Sequence, residues 1–255
     1  MAIRSEILCK INEWLQPENF QDYSPNGLQV EGKDEINTII TGVTATKALI
    51  EAAIDANADM ILVHHGYFWK GEDQRIRGMK RERLKQLLDH DINLVAYHLP
   101  LDDHPEYGNN RQLADVLEIK NPRPLGGLVW EGELQEPMSP EQFGLHISRK
   151  LHREPLWVGE GKQEIKRVGW CTGAAQGFIN TALDAGLDAY ISGEISEPTT
   201  HSARECGIHY FAAGHHATER YGVQALGKAL EKEFGVSHQF IDLSLIHISE
   251  PTRPY

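Results

Sequence analysis

The sequence predicts an α/β protein made of two similar α/β halves, an internal duplication related by a pseudo-twofold axis, with a metal site in the cleft between them. Three observations carry that expectation. Short apolar runs of strand length alternate with amphipathic stretches of helical period, the pattern of βαβ units. Two such runs end in polar clusters: Met60-Ile61-Leu62-Val63 leads into His64-His65-Gly66, and Ile92-Asn93-Leu94-Val95-Ala96-Tyr97 leads into His98-Leu99-Pro100-Leu101-Asp102. The order of elements in the first half recurs in the second. On this reading residues 1–122 form the first half, with His64, His65 and Asp102. Residues 123–243 form the second, with His215 and Glu219.

The elements follow from local pattern. Ile7, Leu8, Ile11, Trp14 and Leu15 lie at helical spacing, and Pro17 ends the helix they predict. Tyr23-Ser24-Pro25-Asn26-Gly27 is turn chemistry. Leu28–Val30 and Thr38–Thr41 read as strands. A helix follows from Thr44 to Ala56, capped by Thr44 or Thr46 and closed by Asn57. The His64-His65 strand comes next, then a helix over Lys80–Leu88, the strand ending at Tyr97, and a helix over Asn110–Leu117. Residues 121–138 hold Pro122, Pro124, Gly126 and Gly127 and read as a linker or hairpin. Ser139-Pro140-Glu141-Gln142 is a capping box with proline at the first helical position, opening a helix to about Leu151. Pro155–Val158 and Ile165–Trp170 read as strands.

The repeat sets Thr41-Gly42-Val43-Thr44 against Trp170-Cys171-Thr172-Gly173, each leading into a helix. Aligning Asp59 with Asp188 puts His65 opposite Glu194. Ile92–Tyr97 then lines up with Ile208–Ala213, and each is followed by a helix. Polar strand ends of both halves would meet in one cleft, since ligands bind beyond the carboxyl ends of parallel strands.

Composition removes several classes. Hydrophobic residues make up 40% and charged residues 24% of 255, an ordinary globular balance. No apolar run approaches membrane-spanning length, and no signal-peptide core opens the chain. Cys9, Cys171 and Cys206 show no paired spacing, so they read as reduced thiols of a cytoplasmic protein. A net charge of −12 disfavours direct nucleic-acid binding. No phosphate loop, dinucleotide fingerprint or nucleophile elbow occurs.

The chemistry concentrates in imidazoles and carboxylates. Adjacent strand residues point to opposite faces, so His64 and His65 serve one site only if the chain leaves the sheet there, as Gly66 permits. His215 and Glu219 are four apart and share a face if the chain is helical. His64, His65, Asp102, His215 and Glu219 are too many donors for one zinc ion and suit two bridged divalent ions, which generate hydroxide near neutral pH. Mixed N/O donors fit zinc, manganese, iron or nickel. His98, His104, Asp103 and His216 stand as second-rank candidates. Tyr67, Phe68 and Trp69 offer either ring stacking on a heterocycle or a cap on the core. Lys70–Lys85 is either a phosphate-binding rim or a solvated face.

Four segments in order resemble one known family. They are Tyr23–Gly32 (YSPNGLQVEG), Val63–Gly71 (VHHGYFWKG), His98–Asp102 (HLPLD) and Gly214–Arg220 (GHHATER). They are similar to the dinuclear metal-centre proteins of the Ngg-interacting-factor type, whose bacterial members are named GTP cyclohydrolase 1 type 2 homologues. The resemblance reaches to about Asp242 and implies metal ligands at the same five residues. It implies a toroidal homohexamer with metal sites facing an inner cavity, and hydrolytic opening of the guanine imidazole ring of GTP. In that reaction hydroxide would attack C8, His98 or His216 would supply general acid catalysis, an aromatic among residues 67–69 would stack on the base, and Arg75 or Arg77 would meet the triphosphate. The rival expectations are a metal-dependent phosphoesterase and a non-catalytic metal-binding ring acting as scaffold or regulator. Residues 244–255 do not resemble a family ending and read as translated sequencing-adapter read-through.

Overall fold

The computed structural model describes residues 2–160 and 163–243; the non-native reading of 244–255 lies outside them. The chain is α/β and divides into two compact units, one of residues 2–108 with 220–243, the other of 109–219. In chain order the first unit runs β1 (Ala2–Ile3), α1 (Arg4–Leu15), β2 (Gly27–Val30), β3 (Glu35–Ile36), β4 (Thr38–Thr44), α2 (Lys47–Asp55), β5 (Met60–His65), α3 (Gly78–Asp89), β6 (Asn93–Ala96) and α4 (Leu99–Asp103). The second runs α5 (Asn109–Val116), β7 (Lys120–Gly126), β8 (Val129–Met138), α6 (Pro140–Leu151), β9 (Leu156–Val158), β10 (Ile165–Trp170), α7 (Ile179–Asp184), β11 (Ala189–Ser192), α8 (Glu197–Cys206) and β12 (His209–Ala212). Helix α9 (His215–Phe234) begins in the second unit and continues in the first, where β13 (Ser237–Phe240) follows. Among the described residues no helix is long and apolar enough to cross a membrane.

In the first unit five strands lie in the order β13-β4-β5-β6-β2. The first four are parallel and β2 is antiparallel at the edge. Side chains alternate between two apolar layers, as the period of a strand requires. Ile39, Met60, Leu62 and Val95 pack with Ile7, Ile11 and Leu15 of α1 and with Val223, Leu226 and Leu230 of α9. Ile40, Ile61, Val63 and Leu94 pack with Leu49, Ile50 and Ala53 of α2 and Leu84 and Leu87 of α3. Strand register sets Val63 beside Ala96, so His64 and His65 emerge at the carboxyl end of the sheet, level with Tyr97 and His98.

In the second unit six strands lie in the order β7-β8-β10-β11-β12-β9. β10, β11 and β12 are parallel, with antiparallel neighbours β8 and β9. One layer holds Cys171, Ile179, Ala182, Tyr190, Ala203 and Tyr210. Phe143 of α6 meets Phe211 of β12 edge-on at 5.1 Å. The capping box at Ser139 forms as expected, and residues 121–138 are a long hairpin of β7 and β8 rather than a linker.

The units differ from a division at 122/123. The first closes at 108, and the chain re-enters it at 220, because the apolar stripe of α9 from Val223 onward completes the layer around α1. A stripe of this kind is buried wherever a sheet face needs a second helix.

Candidate metal centre

Strand β5 ends on its two imidazoles. Their rings lie 4.5 Å apart between centroids, so adjacency in a strand did not separate them. The chain turns away at Gly66, where the requirement is space: a Cβ there would fall 2.1 Å from Gln29 Oε1 and 2.7 Å from Ala96 Cβ. His64 is buried. Its Nδ1 lies 3.0 Å from the Tyr97 carbonyl oxygen. A carbonyl only accepts, so Nδ1 carries the proton and Nε2 presents its lone pair. That Nε2 is 3.4 Å from Asp102 Oδ1, on α4 just beyond β6. His65 Nδ1 lies 3.3 Å from Thr44 Oγ1 at the end of β4. A ring nitrogen from each of His64, His65 and His98 comes within 4.8 Å of the other two.

The second unit builds a similar arrangement at the start of α9. His215 Nδ1 donates to Glu194 Oε1 at 2.7 Å, and its Nε2 is 3.1 Å from Glu219 Oε2 one turn along the helix. Glu219 is buried. Burial alone would lower the pKa of His215, but the Glu219 carboxylate, then Glu194, outweigh it and raise it to about 9. The two carboxylates thus favour positive charge at this imidazole, whether a proton or a metal ion. Gly173, at φ +69°, makes the cradle: a Cβ there would lie 2.0 Å from Glu219 Oε1 and 3.3 Å from His215 Nε2. Its N–H donates to Thr218 Oγ1 at 3.1 Å.

These residues fit a divalent cation. Each of His64 and His215 has Nδ1 tied to an oxygen acceptor and Nε2 turned to a carboxylate oxygen, the orientation typical of ligating histidines. The described residues therefore include His/Asp/Glu groups able to bind a metal ion.

The remaining candidates separate. His104 stacks on Tyr107 at 4.8 Å and accepts the Tyr107 N–H, a turn-forming role. His216 sits partly buried as the second residue of α9. Tyr67 is buried and donates to the Ala45 carbonyl at 2.7 Å, so it caps the core and cannot stack on a ligand. Phe68 carries Lys80 over its ring at 4.9 Å. Of these three aromatics, Trp69 is the one beside the imidazoles, 5.0 Å from His98 and 5.8 Å from His65. Arg75 and Arg77 are exposed and both pair with Asp73. Sequence reasoning missed Asp22, which accepts from His98 Nδ1 at 2.7 Å, and the roles of Glu194 and Gly173. Glu194 was legible in part, since the repeat set it opposite His65.

Comparison with known proteins places this geometry. Residues 2–245 match the family model Duf34/NIF3 (NGG1p interacting factor 3). A protein of Pseudomonas aeruginosa named GTP cyclohydrolase 1 type 2 homolog is 56% identical over 95% of this chain and 98% of its own. One of the same name from Haemophilus influenzae is 56% identical over 93% and 97%. Among solved structures, protein ybgI, described as of unknown function, superposes with TM-score 0.93 at 51% identity, over 95% of this chain and 99% of that one. A protein of Thermus thermophilus gives 0.88 at 33%, over the same shares. With the paired imidazoles, the strand-end aspartate and the His-x-x-x-Glu helix start all inside the matched span, the chain belongs to the Duf34/NIF3 family.

Proposed function

We propose that this chain is a divalent-metal-dependent hydrolase acting on a nucleotide-like substrate, with the GTP cyclohydrolase chemistry that its relatives' names describe: opening of the guanine imidazole ring by water, with release of formate. The observation that carries the reading is the shared posture of His64 and His215. Each has Nδ1 anchored on an oxygen and Nε2 turned to a carboxylate, at 3.4 Å for Asp102 and 3.1 Å for Glu219. The proposed ligands are His64, His65, Asp102, His215 and Glu219, holding two divalent ions drawn from zinc, iron, manganese or nickel. Such ions lower the pKa of bound water toward neutrality and polarise the substrate.

The chain's own residues supply the rest. His98 is the proposed acid–base group, with His216 the second candidate. Trp69 is the aromatic that would stack on the planar base. We also read the two sequence halves as a duplication, and the chain as forming cytoplasmic homohexamers of the kind the family resemblance implies. Asp59 Oδ2 accepts the N–H groups of Asn37 and Thr38 where β4 begins. Asp188 Oδ2 accepts those of Lys166 and Arg167 where β10 begins. Both aspartates occupy the aligned position of the sequence repeat, which supports common ancestry of the halves.

The test is product analysis. The untagged protein is incubated with GTP under each candidate metal, and formate and phosphate are both measured. Formate release that His64→Ala abolishes supports the cyclohydrolase reading. Phosphate without formate would move it to a phosphoesterase, and neither product, with metal bound, to a non-catalytic metal-binding ring.

A further inference from the structure

Asp22 lies between α1 and β2, with its side chain only 4% exposed. Both carboxylate oxygens are filled. Oδ1 accepts from His98 Nδ1 at 2.7 Å and from the N–H of Tyr23 at 2.6 Å. Oδ2 accepts from Asn26 Nδ2 and from the N–H of Leu99, both at 2.9 Å. Burial pushes this carboxyl up, but the bonds from His98, Asn26 and Leu99 outweigh it and hold it at about 2. His98 itself is gripped from several sides. Its backbone N–H donates to Asn26 Oδ1 at 2.8 Å. Its ring lies 5.1 Å from that of His64 and 5.7 Å from that of His65, with Trp69 edge-on at 5.0 Å.

One nitrogen of His98 is within 4.8 Å of ring nitrogens of His64 and His65. Nδ1 is committed to Asp22, so the nitrogen left for that cluster is Nε2. We propose that Asp22 is the positioning residue for His98, fixing the tautomer with the proton on Nδ1 so that the Nε2 lone pair faces His64 and His65. The inference rests on the hydrolytic reading for its use. As water adds to the substrate carbon, Nε2 takes the proton from water; as the C–N bond breaks, it returns that proton to the departing nitrogen. His98 ends as it began, and the Asp22 carboxylate stabilises the imidazolium in between.

The simpler role for Asp22 is to tie its loop to the end of β6. The bonds to Leu99 and Asn26 serve that role, and the bond to the imidazole adds something the loop does not need. An asparagine at 22 exposes the difference. Two fixed donors, the Asn26 amide and the Leu99 N–H, meet at Oδ2, whereas at Oδ1 only the Tyr23 N–H is fixed, because the imidazole can change tautomer; the one amide oxygen therefore belongs at Oδ2. The NH2 group then faces His98 Nδ1, which must accept, and the ring proton moves to Nε2. In serine-protease triads the same exchange leaves the geometry intact and lowers kcat on the order of 10⁴-fold.

The experiment uses the full chain with 15N-labelled histidine, metal-stripped and zinc-reconstituted, in wild type, Asp22→Asn and Asn26→Ala. The His98 signals are assigned by their loss in His98→Gln. NMR of the imidazole nitrogens should find His98 protonated on Nδ1 in wild type and in Asn26→Ala, and on Nε2 in Asp22→Asn. Asn26→Ala should lower the melting temperature without moving the proton. With GTP, Asp22→Asn should lower kcat at least about 100-fold while KM stays within about twofold, as loss of a proton-transfer group predicts. A wild-type His98 protonated on Nε2, an unchanged tautomer in Asp22→Asn, or equal losses of kcat in both variants would overturn the proposal. If wild type releases no formate, the proposed activity falls, and the tautomer comparison still decides the role of Asp22.

Discussion

At Gly173 the absence of a side chain makes room for Glu219. The position also has φ +69°, which costs an L-residue about 1–2 kcal/mol. Gly173→Ala should therefore push the Glu219 carboxylate off its present line with His215. Zinc titration calorimetry should show affinity reduced by about 10–100-fold, the scale for disturbing the support of a metal ligand. Unchanged affinity would mean that Glu219 is not a ligand. The same logic separates residues that looked alike in the sequence. His98 and His104 both stand near Asp102, but one meets imidazoles and the other stacks on a tyrosine of its own turn.

Elements show where local pattern is sufficient. The apolar run of β5 predicted its strand because both faces of a parallel sheet are covered, and the Ser139 box predicted the start of α6. Helix α9 was read only in part. Its start carries candidate site residues and its later turns carry the core stripe, so two different signals describe one continuous helix from His215 to Phe234. The five candidate ligands stood out in the sequence because each lies within a few residues of a strand end or in the first turns of a helix, in a short run of imidazoles and carboxylates. Asp22 was not, because its partner His98 is 76 residues away and no local period joins them. Leu226 of α9 is fully buried in the first unit. Leu226→Ala should lower unfolding free energy by about 2–5 kcal/mol in urea melts.

Glu131 gives the corresponding test in the second unit. It joins β7, β8 and β10 by pairing with Arg123 at 2.6 Å and Arg167 at 3.1 Å. The Arg123 hydrogen bond, then Arg167, holds its carboxyl below the ordinary range against the opposing effect of burial. A carboxyl depressed in the folded state adds stability above its unfolded pKa, about 4.3, and loses it as pH falls through the folded value. Glu131→Gln should therefore be less stable than wild type at pH 7. The gap should narrow below about pH 4, and urea melts at pH 7 and 3.5 check both points.

The whole molecule is an α/β chain of the Duf34/NIF3 family. The homohexamer proposed here predicts a light-scattering mass of six chains at micromolar concentration; a monomer mass would remove the ring. The decisive measurement is the metal content of the untagged protein, by elemental analysis after purification and after reconstitution with zinc, iron, manganese or nickel. The proposed bridged pair requires about two ions per chain, with a marked loss in His64→Ala. A wild-type chain that carries no metal and takes up none would contradict it.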